Sequence, residues 1–137
     1  MRRAIATMGI ILLTIVGSLG SADAHNVVGF WFAPTMVDVA KAGVYQVDVT
    51  IDPYYGNIGW IVRVDQATIP EGVIMMMMPP FGYTMDASQN KYAKLLVIVT
   101  PGAPNGSYYP VFDVTQIIPP GPTDETRING PYLSIHK

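Results

Sequence analysis

The sequence predicts an all-β fold, an antiparallel β-sandwich of about six or seven strands. Three observations lead there. Apolar and polar residues alternate with period two, no stretch beyond residue 24 sustains a 3.6-residue apolar period, and turn-forming residues recur at short intervals. The 137 residues include 13 Gly and 12 Pro, punctuation that suits many short strands better than helices.

Each element follows from its local pattern. Val27 to Phe32 reads as a first strand, with Phe30 and Phe32 on one face and Trp31 on the other. Pro34 to Ala42 carries a single weak helical turn. Tyr45 to Asp52 alternates cleanly, Tyr45, Val47, Val49 and Ile51 against Gln46, Asp48, Thr50 and Asp52, the mark of a half-buried strand. Trp60 to Asp65 repeats that pattern, with Trp60, Val62 and Val64 opposite Arg63 and Asp65. Lys94 to Thr100 holds an unbroken run, Leu95-Leu96-Val97-Ile98-Val99, which suits a central strand covered on both faces. Tyr108 to Gln116 alternates again, and Pro110 near its start removes a ladder donor, so that end is an edge or a bulge. Pro131 to His136 is the last strand, preceded by Pro119 to Thr126 as an extended polar arm. Asp52-Pro53, Gly56-Asn57, Pro70-Glu71-Gly72, Pro79-Pro80, Pro101-Gly102, Asn105-Gly106 and Asn129-Gly130 mark the turns.

Part of this pattern resembles a known family. Ile69-Pro70-Glu71-Gly72-Val73, then Ala93 to Val99, then Thr100-Pro101-Gly102-Ala103-Pro104-Asn105-Gly106-Ser107-Tyr108 is similar to bacterial immunoglobulin-like domains over roughly residues 43 to 116. The resemblance implies an immunoglobulin-like sandwich, with Trp60 in the central tryptophan position. It also implies a corner at Gly106-Ser107-Tyr108 in which the Tyr hydroxyl bonds back to upstream backbone. The usual cysteine pair is missing, since the chain has no Cys. The resemblance says nothing about what is bound.

The first 24 residues read as a signal peptide. Arg2-Arg3 forms a basic start, Ala4 to Val16 an apolar run, and Ala22-Asp23-Ala24 an A-x-A cleavage signal. That run is shorter than the ~20 residues a bilayer anchor needs. Residues 25–137 then form one sandwich domain, secreted or periplasmic, with no membrane anchor after processing. Half the chain is hydrophobic and 13% charged, which excludes disorder. A formal net charge of -2 excludes a basic nucleic-acid footprint.

Catalytic groups are sparse. The chain has two His and no Cys, no Gly-x-Ser-x-Gly elbow and no phosphate-binding glycine loop, so no catalytic residue is assigned. Three other signals remain. Cleavage after Ala24 makes His25 the N-terminal residue, whose α-amino group and imidazole together chelate Cu(II). An N-terminal His of this kind is similar to that of copper mono-oxygenases, so a copper-dependent oxidase is the one enzymatic reading kept. The other His is His136. If the first and last strands run parallel, His25 and His136 lie ~17–20 Å apart, too far for one ion. The second signal is Met75-Met76-Met77-Met78 with Met85 beyond. Thioethers select Cu(I), and strand geometry lets Met75 share a face with Met77; Met also fills irregular core gaps. The third signal is aromatic. Tyr54 and Tyr55 sit at a turn, where they are the best candidates for contact with a protein or glycan.

The leading expectation is therefore an exported, non-enzymatic domain for binding, adhesion or structural assembly, with no resident cofactor. The alternative is a periplasmic copper-binding protein with ligands among His25, Met75, Met77, Met85 and His136. A carbohydrate-binding module using Tyr54 and Tyr55 is the second alternative.

Overall fold

Alternation along a strand decides which side chains meet the core, and the computed structural model follows the alternation read above. It describes residues 27–54, 56–86, 88–119 and 123–137. The leader, His25 and Tyr55 lie outside the described residues. The strands are β1 (Val28–Ala33), β2 (Met36–Val39), β3 (Gly43–Pro53), β4 (Ile58–Val64), β5 (Val73–Met78), β6 (Phe81–Thr84), β7 (Lys91–Val99), β8 (Gly106–Tyr108), β9 (Val111–Ile117), β10 (Thr123–Asn129) and β11 (Tyr132–Ile135). A 3-10 turn at Gln66–Thr68 is the one helical element among the described residues, and the Asp65 side chain caps it by accepting from the Ala67 N–H.

The fold is all-β and sandwich-like. One sheet has the order β1-β3-β7-β5 and a second the order β10-β9-β4-β6, both antiparallel throughout. A smaller sheet, β2-β11-β8, pairs β11 parallel to β2 and antiparallel to β8. The predicted central strand is central, with β7 flanked by β3 and β5. Its outer face is only half covered, because Leu96 and Ile98 remain partly exposed while Leu95, Val97 and Val99 are buried.

The expected six or seven strands become eleven, partly by interruption and partly because β2, β5, β6 and β10 form in segments whose sequence does not announce a strand. Tyr109-Pro110 divides the expected Tyr108–Gln116 strand into β8 and β9, because Pro110 cannot continue the ladder. Pro34 to Ala42 contains β2 rather than a helical turn; its four residues, with Val37 and Val39 inward, are too few to display a period. The polar arm at Pro119 to Thr126 runs into β10, whose Thr, Asp, Glu and Arg side chains suit an edge strand paired on one side with β9.

The two four-stranded sheets share one apolar core. Val47, Val49, Leu95, Val97, Met75 and Met77 come from the first; Ile58, Trp60, Val62, Phe112 and Val114 come from the second. Phe32 stacks on Phe112 across the gap, ring centroids 5.9 Å apart. Trp60 lies so close to β6 that a Cβ on Gly82 would sit 2.5 Å from its ring. The Tyr108 hydroxyl donates to the Pro104 carbonyl at 3.1 Å, the back-bonded corner that the resemblance implies.

Two polar side chains are buried among the described residues, Thr84 and Gln116, and the second ties distant segments together. Gln116 is fully buried, and its Oε1 accepts from the Val27 N–H at 2.8 Å and the Val28 N–H at 3.1 Å. It therefore satisfies the backbone donors where the chain enters β1, an end that has no ladder partner on that side among the described residues. Replacing the amide by an apolar group of like size strands two donors at about 1–3 kcal/mol each. We expect Gln116→Leu to lower stability by at least about 2 kcal/mol in urea unfolding. Hydrogen exchange should accelerate first at the Val27 and Val28 amides.

At one end of the second sheet Arg127 on β10 donates to Asp113 on β9 and to Asp65 just past β4, both at 2.8 Å. The hydrogen bond from Arg127 lowers the Asp65 pKa below its ordinary 3.8, and the Ala67 N–H adds to it, against a smaller opposing effect of burial. A lowered carboxylate pKa stabilises the fold above the unfolded value and loses that contribution as pH falls through the folded one. The urea midpoint of wild type should therefore drop more on acidification from pH ~6 to ~2 than that of Arg127→Met, which lacks the contribution at both.

Candidate contact surface

Burying Phe30 and Phe32 turns Trp31 outward, where it is 52% exposed. Its neighbour on that face is Gly29, two residues away. With no side chain there, the Trp31 ring lies back over the strand, and the Tyr54 hydroxyl reaches the same spot from the end of β3. A Cβ on Gly29 would meet the Tyr54 oxygen at 2.5 Å and the Trp31 ring at 2.7 Å. Tyr54 is 47% exposed and its backbone N–H donates to the Val27 carbonyl at 3.0 Å, which fixes it beside β1.

The register extends this pair across the sheet. Thr50 on β3 lies opposite Trp31 on β1 and opposite Tyr92 on β7. Tyr92 is 74% exposed, and two strand spacings place its Cα about 10 Å from that of Trp31. Asp52 stands opposite Gly29, and the next row carries the ion pair of Lys94 with Asp48. The outer face thus presents three aromatic side chains with a hydroxyl and a carboxylate between them. Trp31 and Tyr92 are absent from the sequence-level candidates. The inward pairing of Phe30 with Phe32 was a signal for Trp31, but Tyr92 gains meaning only through its register with Thr50.

The remaining sequence candidates are placed apart. Met75 and Met77 are buried in the core on β5, with Met76 and Met78 on the exposed face. Met85 follows β6 and is 79% exposed. His136 follows β11, and its Nε2 lies 2.5 Å from an Asp38 carboxylate oxygen. The structure does not bring Met75 and Met77 to the surface on which Met85 and His136 stand, because their thioethers face between the sheets. Among the described residues no group of three or more His, Cys, Asp or Glu is arranged to hold a metal ion; His25 lies outside them.

Comparison with known proteins adds little. No family model matches the chain, and no curated protein matches it. A conjugative transposon lipoprotein from Bacteroides eggerthii DSM 20697 is similar in structure, with 14% identity and a TM-score of 0.42. That similarity covers 77% of this chain and 98% of that one. A likeness this distant carries no argument about function.

The seating of the rings over Gly29 is open to test. The chain has two Trp, so a Trp60→Phe background leaves Trp31 as the sole indole. There, Gly29→Ala should lift the ring off the strand, shifting its emission to the red and raising its quenching by acrylamide. Unchanged emission would show that Trp31 is seated elsewhere.

Proposed function

We propose that this chain is an exported, non-enzymatic, immunoglobulin-like binding domain whose contact face is the Trp31–Tyr54–Tyr92 platform, and that its ligand is a glycan chain. The immunoglobulin-like assignment is supported by strand order. β1-β3-β7-β5 has the ABED pattern and β10-β9-β4 the GFC pattern of such sandwiches, with β6 as an added edge that follows β5 in the chain, where a C′ strand would precede D. The parallel pairing of β2 with β11 and the Tyr108 corner agree with it. Export is supported by the leader-like residues 1–24.

The observation that carries the ligand assignment is the row of exposed rings with Thr50 and Asp52 set between them. The apolar faces of sugar rings lie against aromatic faces, while their hydroxyls need hydrogen-bonding groups beside the rings. Strands hold the platform in place with little entropy left to lose on binding.

Retention on insoluble cellulose, chitin and peptidoglycan tests this reading. We expect binding to at least one, weakened about tenfold or more by Trp31→Ala and by Tyr92→Ala, with thermal midpoints close to wild type because both side chains are largely exposed. Retention that both variants preserve, or no retention on any polysaccharide, would sink the glycan assignment.

A further inference from the structure

The first sheet has a second exposed feature, on the border opposite Trp31. β5 is an edge strand among the described residues, paired to β7 on one side only. Among the described residues, the only backbone hydrogen bond outside the ladder that involves it is the one from the Val73 N–H to the Pro70 carbonyl. Its sequence, Val-Ile-Met-Met-Met-Met, contains no charge, no Pro and no Gly. Edge strands are ordinarily protected from pairing by charges, Pro, bulges or short length. The other edges show such protection. β10 carries Asp124, Glu125 and Arg127, while β2, β6 and β8 are four residues or fewer. β1 is as long as β5 but has Gly29 within it, beneath the two rings.

The apolar surface of β5 also continues inward. Ile74 lies in register with Ile98 and Val44, and Met76 with Leu96. Ile74, Met76, Met78 and Val44 are all exposed.

We propose that β5 pairs with β5 of a second copy of this chain, antiparallel about a twofold axis through Met76, joining the two sheets into one of eight strands. A twofold seam is self-complementary. In this register Met76 meets Met76, and each Ile74 meets Met78 of the partner subunit, so every outward contact is apolar. The charge pattern selects the same occupant. The charged row nearest the seam, Lys94 with Asp48, is neutralised within the chain and, in line with Met78, runs toward the apolar Ile74 row of the other copy. No like charges meet. A foreign strand would have to bring its own apolar complement, whereas a second copy carries it by symmetry. Two six-residue edges bury less than the ~1,200 Å² of a standard interface, so the dimer is a weak one that forms in the micromolar to millimolar range. The proposal is independent of what the aromatic platform binds.

Sedimentation equilibrium of the purified protein, from micromolar to millimolar, tests it. We expect a monomer–dimer equilibrium. Met76→Lys should raise its Kd at least about a hundredfold, because the twofold axis sets the two introduced charges against each other, and Met76→Glu should do the same. Met85→Lys, exposed but off the seam, should leave Kd unchanged, and dilute-solution unfolding should show all three variants folded. A monomer at every concentration would overturn the proposal, as would a dimer that survives Met76→Lys. A ladder of species beyond the dimer would overturn it in favour of head-to-tail pairing of β5 with β1.

Discussion

Apolar contact between the two four-stranded sheets is the interaction on which everything else depends. With no cysteine in the chain, no covalent bridge holds the sheets together, and a core of this size must do so by exclusion of water and close fit. Phe112 is fully buried against Phe32 and also lies 2.4 Å from where a Cβ on Gly130 would be. That second contact sits at the break between β10 and β11. The same ring therefore supports the sheet interface and the bend by which the chain leaves one sheet for another.

Strict alternation made much of the fold readable. Tyr45 to Asp52 predicts β3 with its inward Val47, Val49 and Ile51, and Trp60 to Asp65 predicts β4 with Trp60 and Val62 inside. Where strands are short the reading fails, because β2 and β6 offer only two inward positions each and a period cannot be told from chance over four residues. Val73 to Met78 hides its alternation differently. All six residues are apolar, so hydropathy cannot say that Met75 and Met77 are core and Met76 and Met78 are surface; only the sheet pairing separates them. The candidate site was legible in part. Tyr54 stood out as a turn aromatic, but its partners Trp31 and Tyr92 come from strands distant in sequence, joined through Thr50 by registers that no local pattern encodes.

The outer face of the first sheet carries two kinds of exposed apolar surface. At one end of the strands, across β1, β3 and β7, it is aromatic, with polar groups between rings; toward the other end, across β3, β7 and β5, it is largely aliphatic and thioether-rich. The two halves are divided by the row of Asp48 and Lys94, whose ion pair is exposed on both sides and contributes little to stability. Its effect is to separate two surfaces of different chemistry on a single rigid support. Each can then engage its own kind of neighbour without competing for the same side chains.

The buried amide of Gln116 carries a consequence for the order of events during synthesis. It closes over the amides of Val27 and Val28, 89 and 88 residues earlier in the chain. β1 therefore emerges from the ribosome well before the group that completes its N-terminal end. Until then β1 has β3 to pair with and no roof over its first residues. Such long-range closure is slow, and it leaves a nascent chain with Val27, Val28 and Phe30 uncovered until residue 116 arrives.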